Sequence, residues 1–154
     1  MTTVDVVTER DLGELMPLIR AYLDFYEVNP SDESVLALSR SLLADPELEG
    51  VQFIARDEER RAIGFASLFW TWATTRGGRL GVMNDLYVAP EARGSGAAEA
   101  LIAACRARCE QRGAVALEWQ TAGDNHRAQA VYDRVGGQKS DRWLDYTLPT
   151  TLQA

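Results

Sequence analysis

An apolar, strand-like stretch of this chain leads into a turn that contains two glycines, and the turn opens a helix-forming segment. The apolar stretch ends with Leu86, Tyr87 and Val88, and the turn with its first helical positions comprises Arg93, Gly94, Ser95, Gly96, Ala97 and Ala98. The first turn of an α-helix has backbone N–H groups without internal acceptors, and the macrodipole adds roughly half a positive charge there. Because glycine lets the backbone come close to a ligand, this arrangement predicts a site where main-chain amides bind a diphosphate.

Other phosphate-binding loops fit this turn poorly. A Walker loop needs Lys followed by Ser or Thr after its last glycine, and Ala97-Ala98 stand there instead. A dinucleotide-binding turn needs three spaced glycines and an acidic residue about 20 positions later, and the chain has neither. The remaining alternative is a helix that begins at a tight turn and binds nothing.

Length and composition indicate one globular domain over residues 1–154. The chain is 46% hydrophobic and 25% charged, and proline and glycine are dispersed rather than clustered in a linker. The N-terminus shows no signal-peptide pattern, and no apolar run reaches the ~20 residues of a membrane span. We therefore expect a cytoplasmic protein with no membrane partner.

The net charge and the small number of histidines and cysteines argue against nucleic-acid binding and metal binding. A net charge of −7 disfavours nucleic-acid binding, which needs a basic surface, and favours cationic partners. His126 is the only histidine, and Cys105 and Cys109 lie one helical turn apart in an alanine-rich segment. We expect these cysteines to be small buried hydrophobes, and we predict no metal site.

The order of predicted elements gives a mixed α/β fold. Strands and helices follow each other as strand, two helices, three strands, helix, strand, helix and strand, which places helices on both faces of one sheet. Thr8 with Asp11 forms a capping-box pattern at the first helix, and the last helix begins after Asp124-Asn125. The predicted strands are 4–7, 52–56, 62–74, 80–88, 116–121 and 143–148, and the predicted helices begin near residues 8, 32, 97 and 125.

A second pattern lies in the last predicted helix, about 30 residues beyond the glycine turn. It reads Asn125, Ala128, Val131, Tyr132 and Gly136 at helical spacing. Together the two patterns resemble the two sequence blocks of the GCN5-related N-acetyltransferase (GNAT) superfamily, and the order of elements is that of its fold. A tyrosine that only packs on the core is the alternative for Tyr132.

The resemblance implies acetyl-CoA as co-substrate, without a metal. It implies that Asn125 caps the helix beside the cofactor, that Tyr132 faces the acetyl-CoA sulfur, and that the strand before the glycine turn is splayed from its neighbour. The backbone of Leu86, Tyr87 and Val88 would then contact pantetheine. In acetyl transfer the amine must lose a proton and the thiolate must gain one, so Tyr132 is the expected general acid.

The amine side is predicted from acidic and aromatic residues. The stretch from Asn84 to Val88 resembles the diamine and polyamine N-acetyltransferase branch, in which acids often occupy the positions of Asn84 and Asp85; here the first is an amide. Asp85 is expected to hold an ammonium group or to relay its proton through water. Tyr22, Tyr26 and Glu33 are further candidates for an amine pocket, since aromatic faces and carboxylates both attract cations.

We therefore expect an acetyl-CoA-dependent N-acetyltransferase for a small cationic primary amine, forming a homodimer. A peptide or histone-type lysine acetyltransferase is one alternative. A noncatalytic acyl-CoA-binding sensor domain is another, and such a sensor would need the glycine turn but not Tyr132 or Asp85.

Overall fold

The computed structural model describes residues 1–150, which fall into two compact units, Met1–Thr121 and the chain from Ala122 onward. The strands are β1 (Thr3–Val6), β2 (Gly50–Arg56), β3 (Ala62–Ala73), β4 (Gly78–Val88) and β5 (Ala116–Glu118). The α-helices are α1 (Leu12–Phe25), α2 (Asp32–Ala44), α3 (Ala97–Arg112) and α4 (His126–Arg134). Short 3-10 turns precede α1, connect β3 to β4 and follow β4.

The first unit is built on one mixed sheet with the strand order β1-β2-β3-β4-β5. The first three pairings are antiparallel, and β4 pairs with β5 in parallel. Each predicted strand up to β5 is therefore present, although β5 ends at Glu118 rather than at Thr121.

Helices cover both faces of this sheet, as alternation along β3 shows. Phe65 packs with Leu15 and Ile19 of α1 in one apolar cluster. Its neighbour Gly64 points the other way, since a Cβ there would lie 3.4 Å from the Leu101 side chain of α3. All residues of β2 are buried, as expected for a strand covered on both faces.

Local capping chemistry fixes where the helices of the first unit begin and end. The Asp11 carboxylate accepts from the Thr8 backbone N–H at 2.7 Å and from its hydroxyl at 3.0 Å, so the predicted capping arrangement is confirmed. The Ser31 hydroxyl accepts from the Ser34 N–H at the start of α2. Gly113 ends α3 in the left-handed conformation with φ +79°.

Two irregularities mark the end of β4. The β3–β4 register shifts between Ser67, opposite Asp85, and Leu68, opposite Met83, so Asn84 is the extra residue of a β-bulge. The pairing of β4 with β5 begins at Leu80 and ends at Val82. In the first unit, the side of β4 that faces β5 is therefore without a strand partner from Met83 to Val88.

The second unit contains α4, and the described residues after its end have no regular secondary structure. Gly136 adopts φ +88°, and the Gly137 N–H donates to the Tyr132 carbonyl at 2.9 Å, which closes the helix as predicted. The predicted last strand over residues 143–148 is wrong: no regular secondary structure is present there, and Trp143, Leu144, Tyr146 and Leu148 are exposed. Its alternating apolar pattern suits a strand, but a strand forms only where another supplies the hydrogen bonds.

Candidate active site

The glycine turn after β4 has the backbone conformation that a phosphate-binding loop needs. Gly94 and Gly96 lie in the left-handed region, with φ +81° and +86°, where other residues are strained. Helical hydrogen bonding of α3 begins with the Ala100 N–H donating to Gly96 O at 3.0 Å. The preceding amides, including those of Ala97 and Ala98, thus point out of the helix start.

The surroundings of this turn are open, and Arg93 places a positive charge in it. A Cβ at Gly94 or Gly96 would meet no atom within 4 Å. The Arg93 side chain is exposed and makes no ion pair or hydrogen bond with residues 1–150, and Ser95 is also exposed. An anion could therefore reach both the helix amides and the Arg93 guanidinium.

Asp85 lies where the bulged strand faces α1. Its carboxylate is half-buried and accepts hydrogen bonds from Ser67, Tyr22 and Asn84, the last from Nδ2 at 3.0 Å. On the other side of Ser67, on β2, the buried Gln52 donates from Nε2 to the Ser67 hydroxyl at 3.0 Å. Because Gln52 pairs with Ser67 and Ser67 with Asp85, the three side chains form one polar row across β2, β3 and β4.

The electrostatic state of Asp85 differs from that of an ordinary ion-paired carboxylate. Burial raises its pKa above the usual range, and the three donors lower it only in part. All three donors are neutral, and among the described residues no cationic side chain contributes to the pKa. A cationic ligand would therefore meet a carboxylate whose charge is not balanced by any side chain of residues 1–150.

Aromatic rings surround this carboxylate. The Tyr22 ring meets Tyr26, Phe65 and Tyr87 edge to face, with centroids 5.0, 5.6 and 6.2 Å apart. Phe65 and Tyr22 belong to the core, whereas Tyr26 is 46% exposed. The structure thus brings together Tyr22, Tyr26, Asn84 and Asp85 from the predicted amine site.

Glu33 is the member of that predicted set that the structure does not join to the others. It is exposed in the first turn of α2 and makes no hydrogen bond or ion pair with the described part of the chain. In contrast, sequence reasoning missed Ser67 and Gln52. The sequence does contain a pattern that points to them, since each is a polar residue inside an otherwise apolar strand.

The second predicted motif is intact within its own unit. The Asn125 side chain accepts from the Ala128 N–H at 3.2 Å and so caps α4 as predicted. Tyr132 is half-buried and follows Asn125 by seven residues, about two helical turns. Asn125 and Tyr132 therefore project from similar sides of α4.

Metal binding and membrane insertion have no counterpart among the described residues. Within residues 1–150, no group of three or more His, Cys, Asp or Glu side chains is placed to hold a metal ion. No helix in the same range is long and apolar enough to cross a membrane.

The family model for the acetyltransferase (GNAT) family matches residues 15–137. The match crosses the boundary between the two units and includes both the glycine turn and α4. The chain is also similar to the D-amino-acid N-acetyltransferase HPA3 of Saccharomyces cerevisiae, with 31% identity over 143 residues that cover 92% of this chain and 87% of the yeast protein. The chain therefore belongs to the acetyltransferase (GNAT) family, and it is an N-acetyltransferase.

Solved structures confirm the predicted fold. A crystal structure described as a probable acetyltransferase is 31% identical and has a TM-score of 0.82, with 97% of this chain and 98% of the other covered. The structure of AAC(6′)-Iy in complex with the bisubstrate analogue CoA-S-monomethyl-acetylneamine has 22% identity and a TM-score of 0.81, with 97% and 99% coverage. The mixed α/β GNAT fold, with a mostly antiparallel sheet and helices on both faces, is thus established.

The hydrogen bonds of Asp85 generate a first prediction. Tyr22→Phe keeps the ring but removes one donor to the carboxylate, so it raises the pKa of Asp85 further. A carboxyl-detected NMR titration measures this pKa directly. Tyr26→Phe is the matched control, because Tyr26 contacts the Tyr22 ring but not Asp85. Equal Asp85 pKa values in wild type and Tyr22→Phe would show that the hydroxyl does not stabilise the charged form.

Proposed function

We propose that this chain transfers an acetyl group from acetyl-CoA to a small primary amine that carries a positive charge besides the reacting nitrogen. The observation that carries the proposal is Asp85, a half-buried carboxylate with neutral donors only. A diamine or polyamine has the charge that such a group attracts. An amino acid, the substrate class named for the yeast relative, carries a carboxylate that Asp85 would repel.

The donor side of the proposal rests on the glycine turn and the open side of β4. The diphosphate of acetyl-CoA would bind the amides from Gly94 to Ala98, with Arg93 adding a charge-assisted contact. Backbone groups of Leu86, Tyr87 and Val88 would bind the pantetheine amides, because β5 pairs with that side of β4 only from Leu80 to Val82. Asn125 would shape the helix next to the cofactor.

The proposed chemistry is direct attack. The neutral amine nitrogen forms a bond to the thioester carbonyl carbon, and the bond from that carbon to sulfur breaks. The nitrogen loses one proton to water, or to Asp85 if that carboxylate relays the proton instead of anchoring the second charge, and the departing CoA sulfur gains one from the Tyr132 hydroxyl. A backbone N–H at the end of β4 would stabilise the oxyanion. Asn84 would line the amine side with Tyr22 and Tyr26.

For domain extent, oligomeric state and compartment, the proposal is the one expected from the sequence. We propose one acetyltransferase domain over residues 1–154, acting as a homodimer in the cytoplasm on a small-molecule substrate. The net charge of −7 suits a cationic amine and disfavours nucleic acid.

The donor site is tested by substitution in the glycine turn. Gly96→Asp places a negative charge at the start of α3, so acetyl-CoA affinity measured by calorimetry should fall by at least ~100-fold. Gly96→Ala is the matched control, because it brings the same left-handed strain without the charge and should lose less. Arg93→Ala should cost about 10-fold or somewhat more, the scale of one charge-assisted hydrogen bond. Unchanged affinity in Gly96→Asp would refute binding at this turn.

The general acid is tested at Tyr132. Tyr132→Phe should leave acetyl-CoA affinity nearly unchanged and lower turnover by about 100-fold, the usual effect of losing general acid catalysis. Tyr146→Phe, an exposed tyrosine of the same unit, is the control. A Tyr132→Phe enzyme with wild-type turnover would assign the tyrosine to packing alone.

The acceptor site is tested with two amines of similar length, a diamine and a monoamine with a neutral tail. If Asp85 anchors the second charge, Asp85→Asn raises KM for the diamine far more than for the monoamine. A carboxylate about 4 Å from a cation contributes about 4 kcal/mol before desolvation at an effective dielectric constant near 20. If Asp85 instead relays the proton, kcat falls alike for both amines. Unaffected kinetics for both would overturn each role.

A further inference from the structure

Gln52 is a buried amide in the middle of the sheet. Its side chain on β2 is 4% exposed, and its Nε2 donates to the Ser67 hydroxyl on β3 at 3.0 Å. Burying an amide costs free energy that a hydrogen bond only partly returns, so an apolar residue would serve the core at least as well. Gln52 does not contact Asp85 itself, because Ser67 lies between the two in the sheet register.

The number of protons at Ser67 decides the direction of the hydrogen bonds in this polar row. A serine hydroxyl has one proton to donate and two lone pairs, whereas an ionised carboxylate can only accept. Ser67 therefore bonds to ionised Asp85 only by donating its single proton. In its other contact Ser67 must accept, and the Gln52 amide supplies the donor that this contact needs.

The burial of Ser67 makes this direction depend on Gln52. Ser67 has no exposed surface, so bulk water does not orient its hydroxyl. A serine hydroxyl rotates readily and often turns to a nearby backbone carbonyl. With the Nε2 donor of Gln52 on one side, the Ser67 proton is directed toward Asp85. Without that donor, other orientations of the hydroxyl compete.

We propose that Gln52 is a positioning residue of the acceptor site, which acts on Asp85 through the Ser67 hydroxyl by holding its proton toward the carboxylate. This inference rests on the role of Asp85 in the proposed function. A donor held in place stabilises the ionised form of a carboxylic acid. Gln52 thus keeps Asp85 ionised to lower pH, in the state that attracts a cationic amine or takes up a proton.

The groups around Asp85 are uncharged, so its titration reports on its donors. Tyr22 on α1 and Asn84 on β4 donate to it beside Ser67, and Tyr26 and Tyr87 contact the Tyr22 ring. Phenols, hydroxyls and amides carry no charge at acidic pH. Among residues 1–150, no charged side chain contributes to the pKa of Asp85.

A carboxyl-detected NMR titration of the whole chain tests the proposal without substrate. Gln52→Met keeps an unbranched side chain but removes the donor, so it should raise the pKa of Asp85, and Ser67→Ala should raise it at least as much. The double variant should match Ser67→Ala, because Gln52 acts through Ser67. Val51→Ala is the matched control: Val51 is buried on the same strand but points to the other face, so this variant should lose stability and keep the Asp85 pKa.

The wild-type protein offers a second measurement that needs no variant to fold. Protonation of Asp85 removes the acceptor of the Ser67 proton, so the Gln52 side-chain amide resonances should shift with the same midpoint as the Asp85 carboxyl. The proposal is overturned if these resonances do not follow Asp85. It is also overturned if Gln52→Met has the wild-type Asp85 pKa, or if the shifts of the two single variants add in the double variant.

The pH profile of kcat/KM with a diamine separates this proposal from the proposed function. A raised Asp85 pKa leaves less carboxylate ionised at acidic pH, so in Gln52→Met the acidic limb should move to higher pH. Activity should fall severalfold on that limb and return as the pH rises above the raised pKa. If the NMR titration shows the raised pKa but the profile stays in place, Gln52 positions Ser67 as inferred, and the role of Asp85 in acetyl transfer is refuted instead.

Discussion

The structure of the site depends on the cost of keeping a carboxylate partly out of water. An ionised carboxylate away from solvent is tolerated only when hydrogen bonds or opposite charges replace its hydration. For Asp85 the replacement is a row of polar side chains, in which Gln52 holds the Ser67 hydroxyl and Ser67 and Tyr22 donate to the carboxylate. Since these residues come from three strands and from α1, the site is assembled only when the sheet register and the packing of α1 are both correct.

A second buried charge, that of Arg56, is balanced entirely by other side chains of the protein. Arg56, 6% exposed, pairs with the carboxylates of Asp11 and Glu14, each at 2.8 Å. Hydrogen bonds to Glu14 and Asp11 raise the pKa of Arg56, and the charge is satisfied within the protein. This cluster joins the end of β2 to the start of α1. Among residues 1–150, Asp85 has no such counter-ion. We therefore interpret Arg56 as fixing the start of a helix and propose Asp85 as a group that binds a cation from outside the protein.

Features that depend on residues close together in the sequence could be predicted. Features that depend on a partner far away in the sequence could not. The capping pair Thr8 and Asp11 and the glycines that end α3 and α4 are local signals, and the structure bears them out. The strand predicted over 143–148 has the correct alternation of side chains, but pairing is a nonlocal property. The polar row was missed for the same reason, because its meaning lies in the register that sets Gln52 beside Ser67 and Ser67 beside Asp85.

The opposite charges of the two proposed ligands can be reconciled by distance. The chain has a net charge of −7, which attracts a cationic amine but repels the phosphates of acetyl-CoA. At physiological ionic strength, exposed charges are largely screened beyond about 8 Å. A bound diphosphate would therefore interact mainly with the amides of the α3 start and with Arg93. The amine would interact with Asp85 at short range. Because Asp85 is half-buried, this interaction is screened less. In this proposal the helix amides and Arg93 lie after the end of β4, and Asp85 lies within β4, so the two ligands would bind at different points along one strand.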